Sequence, residues 1–248
     1  MPLLRAGGEE FDCDAILMDK DGTLLDFKSM WLEWCRYVIG GIMSTIPGKF
    51  TQVMLEQALG INLTSWHVDP HGPLARGEMS GLRQALVQVL RECGMGETQA
   101  CGLVIDIFSA SQTDVDWEAL SKPLPGLNGL LSRLRNDNFK LAVVTADDTE
   151  RVKLSLASQG LVNYFDYVIG GDLVARSKPA PDMALLGCRL LNVEPERAVI
   201  IGDSPQDILM AKEVGAGGGI GVLSGVCLRE QLDAAGADVV IEAVTELG

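Results

Sequence analysis

The stretch AILMDKDGT, residues 15–23, decides how the chain is read. Its apolar run, 15–18, is short and sharply bounded, which suits a buried strand better than a helix. Side chains two apart on a strand point the same way. Asp19 and Asp21 are therefore expected on one side and Lys20 on the other, away from any cation. Two carboxylates that close repel each other unless a cation lies between them or one holds a proton. Gly22 permits the tight turn that follows. Alone, the stretch also reads as an Asp-Gly turn with a helpful side chain.

Outward from this strand the chain changes character twice. Residues 25–121 are helical in period: Trp31, Trp34, Cys35, Val38, Ile39, Ile42 and Ile46 recur at i, i+3, i+4 spacing, as do Leu82, Ala85, Leu86, Val89 and Leu90, with Gly94 placed to stop that helix. No strand is expected there, and the Trp pair reads as helix-packing core. Residues 122–248 alternate short apolar runs with helical patterns, the signature of βαβ units on a parallel sheet. Strands are expected at 140–145, 167–170, 198–202, 219–223 and 238–241. Helices are expected near 126–136, 148–159, 181–191, 205–214 and 228–235. The opening strand belongs to this half by character. The fold expected is α/β, a doubly wound, Rossmann-like parallel sheet core formed by 1–24 and 122–248. An all-helical cap domain, 25–121, is inserted after its first strand.

Composition narrows the function. Thirty-four acidic residues against 20 basic ones give a formal charge of −14 over 248 residues, with no Lys/Arg-rich run. Nucleic acid binding needs a basic footprint, so none is expected, and an anionic membrane surface is disfavoured on the same grounds. A phosphorylated small molecule is still allowed, because metal ions and helix N-termini act locally. The six cysteines show no CxxC pair and no zinc-ligand spacing. They read as reduced thiols of a cytoplasmic protein. The first residues, MPLLRAGGEEFD, lack the apolar core of a secretory signal. No run is long enough to span a membrane. The chain carries no signal for its oligomeric state.

In open α/β sheets, ligands bind outside the carboxyl ends of the strands. Four of the expected strands end there in polar residues. The first ends in Asp19 and then Asp21. The second ends LAVVTADD, with Thr145 at its tip. After YVIGGD a loop carries SKPAPD, with Lys178, and AVIIGDSPQD ends in Asp203 with Asp207 four residues on. Each has a dull explanation: Lys178 as a solvated loop lysine, Asp207 as N3 of a capping box with Ser204 and Pro205, Asp147 and Glu150 as a second such box. Jointly they describe phosphoryl transfer. Clustered carboxylates call for a hard cation such as Mg²⁺, and positioned donors neutralise the equatorial oxygens. An aspartate can attack as nucleophile, and a second carboxyl can move the proton.

DKDGT, the strand-end Thr145, the SKP loop and GDSPQD together resemble the four motifs of the haloacid dehalogenase superfamily of phosphohydrolases. A helical insert directly after the first motif resembles that family's C1-type cap. GVLSG followed by AGADVVI is similar to its phosphoglycolate phosphatase-like members. The resemblance implies Asp19 as nucleophile, Asp21 as acid/base, and Thr145, Ala146 and Lys178 as phosphate binders. It implies Mg²⁺ held by Asp19, Asp203 and the Asp21 main-chain carbonyl, with Asp207 supporting the metal's ligands. Dehalogenases of the family lack the second aspartate of motif one, so Asp21 favours phosphate chemistry.

The expected activity is hydrolysis of a small phosphorylated metabolite, 2-phosphoglycolate among the candidates. A β-phosphosugar mutase would use the same intermediate. A phospho-Asp signalling module shares Asp, Thr, Lys and paired acids on a similar sheet, but a large inserted cap suits substrate enclosure. Within the cap, His67, Asp69 and His71 (HVDPH) are too loosely spaced for a metal site. Arg76 and Arg83 read as solvated arginines rather than substrate contacts. The run GAGGGIG, 215–221, fails dinucleotide-binding spacing and fits a helix-to-strand turn.

Overall fold

A computed structural model describes residues 2–76 and 79–248. In chain order, β1 (Leu3–Ala6) and β2 (Glu9–Asp12) precede β3 (Ala15–Met18). Then come α1 (Phe27–Thr45), α2 (Gln52–Leu59), β4 (Ile61–Asn62), β5 (His67–Val68), α3 (Met79–Glu92), α4 (Glu97–Asp114) and α5 (Trp117–Leu120). The rest alternates as α6 (Leu127–Asn136), β6 (Lys140–Val144), α7 (Thr149–Ser158), β7 (Tyr167–Ile169) and α8 (Asp182–Leu191). It continues as β8 (Ala198–Gly202), α9 (Pro205–Val214), β9 (Gly218–Val222), α10 (Arg229–Ala235) and β10 (Val239–Ile241). The chain divides into two compact units: one runs to Phe27 and resumes at Ser121, and the other is Lys28–Leu120.

The first unit carries the expected doubly wound sheet. Its strand order is β10-β9-β8-β3-β6-β7, with every pairing parallel. β3 lies at the centre, and successive strands add outward first on one side and then on the other. The order therefore reverses between β3 and β8, the switch point where such sheets open a crevice. Every residue of β3, β8 and β9 is buried, as required of central strands covered on both faces. Gly-rich β9 follows from this crowding: a β-carbon on Gly218 would lie 2.5 Å from the Phe11 ring. The glycine run thus serves a turn and a crowded strand, with Gly215 in the left-handed conformation ending α9.

Two short pairings were not expected. β1 and β2 form an antiparallel hairpin around Gly7 and Gly8, both at positive φ (57° and 92°). A Gly-Gly pair between short extended runs is a known hairpin signal, obscured here by the charges that flank it. The second unit is not all-helical: β4 pairs with β5 over two residues each, too short for alternation to show. Otherwise it is helical, and α1 buries Trp34 and Val38 along one stripe. The Trp34 indole donates to Ser111 Oγ at 3.0 Å and meets Phe108 edge-on at 4.9 Å. This is helix packing, as the spacing predicts. Gly94, at φ 83°, follows the end of α3. Among the described residues, no helix is long and apolar enough to cross a membrane.

Candidate active site

β3 and β8 deliver two carboxylates to the switch point. Met18 is in register with Ile201, and the Asp19 amide donates to the Ile201 carbonyl at 2.9 Å. Asp19 and Asp203 therefore leave neighbouring strands side by side. The chain then folds back: Leu24 and Leu25 amides both donate to the Lys20 carbonyl at 2.9 Å, through Gly22 at φ 84°. A β-carbon on Gly22 would lie 2.6 Å from the Asp203 carboxyl carbon, and one on Gly225 would overlap that carboxylate outright. The Ser224 hydroxyl donates to the Gly22 carbonyl at 2.6 Å. The two glycines form a tight cradle around Asp203, which is 5% exposed.

Lys178 is not a solvated loop lysine. Its side chain is 4% exposed, and Nζ lies 2.6 Å from Asp19 Oδ1 and 2.5 Å from Asp207 Oδ1. Asp207 divides its labour: Oδ2 accepts from the Ser204 amide at 3.2 Å and hydroxyl at 2.6 Å, while Oδ1 faces Lys178. The capping reading and the site reading of Asp207 are thus both present in one side chain. Oxygens of Asp19, Asp203 and Asp207 come within 4.8 Å of one another.

Burial sets the electrostatics. It pushes Asp19 up to about 7, against the opposing pull of Lys178, with Asp207 adding to the rise. Asp203 is raised as well, by burial first and then by Asp19 and Asp207. Buried charge is costly unless it is paired or coordinated. One ammonium among three carboxylates leaves negative charge unbalanced. An all-oxygen, net-negative donor set of this kind, two of its three carboxylates buried, fits a hard divalent cation.

Asp21 turns elsewhere. β3 ends at Met18, so the alternation that places Asp19 and Asp21 together and Lys20 opposite does not carry through the turn. Lys20 is buried, with Nζ 3.0 Å from Asp21 Oδ1 and 2.6 Å from Asp147 Oδ2. Burial opposes its charge, but Asp21 and Asp147 outweigh that and raise its pKa. The Asp21 carboxylate is not part of the cluster of Asp19, Asp203 and Asp207. The cap of α7 is likewise corrected. Asp148, not Asp147, is the N-cap, accepting from the amides of Glu150 and Arg151, which releases Asp147 for Lys20. Thr145, 4% exposed, closes the tip of β6, and its Oγ1 accepts from the Asp147 amide at 3.3 Å. Ala146 follows it, exposed.

The remaining candidates belong to the second unit. Asp69 accepts from the His71 amide at 2.9 Å, an Asx turn. No metal-ligand cluster other than that of Asp19, Asp203 and Asp207 occurs among the described residues. Arg83 rests over the Phe108 ring at 5.9 Å. Lys20, Asp147, Ser224 and Gly225 went unassigned as site residues. A Ser-Gly step directly after a buried strand of this sheet was the available signal for the last two.

Residues 13–215 match the family described as haloacid dehalogenase-like hydrolase. A relative called phosphoglycolate phosphatase, from Aquifex aeolicus, is 36% identical over 217 residues, 88% of each chain. "Probable phosphatase IndB" of Dickeya dadantii is 37% identical over 123 residues, half of this chain and 53% of its own length. A crystal structure described as "a predicted phosphoglycolate phosphatase" of Haemophilus somnus superimposes with a TM-score of 0.69 at 17% identity, covering 95% of this chain and 96% of that one. At that identity the likeness is one of fold. The chain belongs to the haloacid dehalogenase-like hydrolase family.

Proposed function

We propose that this member of the haloacid dehalogenase-like hydrolases is a phosphatase of a small phosphorylated metabolite, working in the cytoplasm with Mg²⁺ through a phosphorylated Asp19. The observation that carries the reading is the buried Lys178 ammonium held between Asp19 and Asp207, next to Asp203. The name of the Aquifex aeolicus relative makes 2-phosphoglycolate the first substrate to test. The six unpaired thiols suit a reducing compartment.

In this reading the ionised Asp19 carboxylate attacks phosphorus, and the bond from phosphorus to the leaving oxygen breaks. Asp21 gives its proton to that oxygen, so the alcohol departs neutral. Asp21, now a base, takes a proton from water. The water oxygen attacks the phosphorus of phospho-Asp19, which frees the carboxylate and inorganic phosphate. Thr145, the Ala146 backbone and Lys178 hold the phosphoryl oxygens in place. Asp19, Asp203 and the Asp21 main-chain carbonyl are the proposed Mg²⁺ ligands, with Asp207 supporting them. A bound Mg²⁺ supplies charge neutralisation of the phosphoryl group.

The test is phosphate release from a panel of phosphomonoesters that includes 2-phosphoglycolate, with Mg²⁺, with EDTA, and with Asp19→Asn. Release that requires both Mg²⁺ and Asp19 is the expected result. Isomerisation of a β-phosphosugar without net phosphate release would replace this reading with the mutase. A phospho-Asp19 that persists for hours would replace it with a signalling module. No release from any ester would overturn it.

A further inference from the structure

We propose that Lys20 is a positioning residue for Asp21, holding the proton-transferring carboxylate by clamping it to Asp147. The inference rests on the phosphatase reading, in which Asp21 carries the proton. Three observations support it. First, the lysine side chain is 3% exposed and has both carboxylates within 3.0 Å. A buried ammonium is desolvated at a cost, and a lysine placed on a solvated face would avoid that cost.

Second, the far anchor is itself fixed. The Asp147 amide donates to Thr145 Oγ1 at 3.3 Å, and its carbonyl accepts from the Gly171 amide at 2.9 Å. A β-carbon on Gly171 would lie 2.7 Å from the Ala146 carbonyl oxygen, so the two loops are packed closely. Its side chain is also free for the clamp, because Asp148 caps α7.

Third, the clamp joins two strand ends. Asp21 lies in the turn after β3, and Asp147 in the loop after β6, two residues past Thr145. Lys20 therefore ties the acid/base to the loop that presents a phosphate-binding hydroxyl. An ammonium with three donors can hold both carboxylates at once.

The test separates proton delivery from everything else. Lys20→Met is assayed for the burst of leaving-group release on two esters: an alkyl phosphate, whose alkoxide needs a proton, and p-nitrophenyl phosphate, whose leaving group does not. Misplacing the acid is expected to slow the alkyl burst by about 10²-fold, with little effect on the aryl burst and KM unchanged. Decay of phospho-Asp19 is expected to slow equally after either ester, since that step uses Asp21 as base. Asp147→Asn keeps the Lys20–Asp21 contact and is expected to show the same pattern, more weakly. It also serves should Lys20→Met fail to fold. Equal burst losses on both esters, or none on either, would overturn the clamp while the phosphatase reading stands. An unmutated chain that releases phosphate from neither ester would overturn both.

Discussion

Lys178 Nζ and Asp207 Oδ1 form an ion pair at 2.5 Å between side chains that are 4% and 1% exposed. The same ammonium reaches Asp19 at 2.6 Å. One ammonium thus holds the half-buried Asp19 at the end of β3 and the buried Asp207 in the first turn of α9. Lys178→Met leaves both without a counter-charge. Breaking a buried pair from one side costs about 3–5 kcal/mol. That loss is expected in urea unfolding at pH 8 in EDTA, and a smaller one at pH 5, where the raised Asp19 carboxyl takes up a proton. Equal stability of variant and parent at pH 8 would count against the pair.

Asp19 sets a pH dependence whose sign is unusual for a carboxylate. Burial raises it to about 7 from an ordinary 3.8. Between those values the folded, metal-free chain holds a proton that the unfolded chain has lost, so stability falls as pH rises through the window. Asp19→Asn does not titrate there. The parent is therefore expected to lose stability relative to Asp19→Asn from pH 4 to pH 7 in EDTA, and saturating Mg²⁺ is expected to reduce that loss. A parent-minus-variant difference that stays flat with pH would sink the prediction.

Gly225 has no room for a side chain, because a β-carbon there would overlap the Asp203 carboxylate. Gly225→Ala must displace Asp203 from its cradle. Displacing what orients a metal ligand typically costs 10–100-fold in affinity, and about that loss is expected in calorimetric Mg²⁺ titration. An unchanged Mg²⁺ affinity would place Asp203 outside the metal site.

Thiol reactivity follows burial. Burial pushes the thiols of Cys13 and Cys227 up to about 12 and Cys188 up to about 11, and raises Cys35 further. At pH 8 each is ionised to about one part in a thousand or less, and only the thiolate reacts. Ellman's reagent is expected to label the half-buried Cys93 and Cys101 first. The other four should label only with global unfolding, as peptide mass spectrometry would reveal. Fast labelling of Cys13 in native protein would contradict its placement.

Much of this protein was written locally. The period-2 and period-3.6 patterns marked the later strands and helices of the parallel sheet within a residue or two. DKDGT, Thr145, the SKP loop and GDSPQD placed Asp19, Thr145, Lys178, Asp203 and Asp207 at strand ends. Local rules failed where the chain left regular structure. Alternation carried past Met18 sent Lys20 to the wrong side, and one residue of turn moved the α7 cap from Asp147 to Asp148. The hairpin at Gly7-Gly8 and the β4–β5 pair were too short for their period to register.

The sequence by itself determined which elements form and which side chains reach the carboxyl edge of the sheet, because hydrophobic period and turn chemistry act over a few neighbouring residues. Only the tertiary structure decided which charges meet. Lys178 pairs with Asp19 across 159 positions, Gly225 closes on Asp203, and Lys20 finds Asp147 in the loop after the neighbouring strand. Those contacts depend on strand order and on burial, which withholds solvent from the charges and leaves each of them to find its partner in the fold.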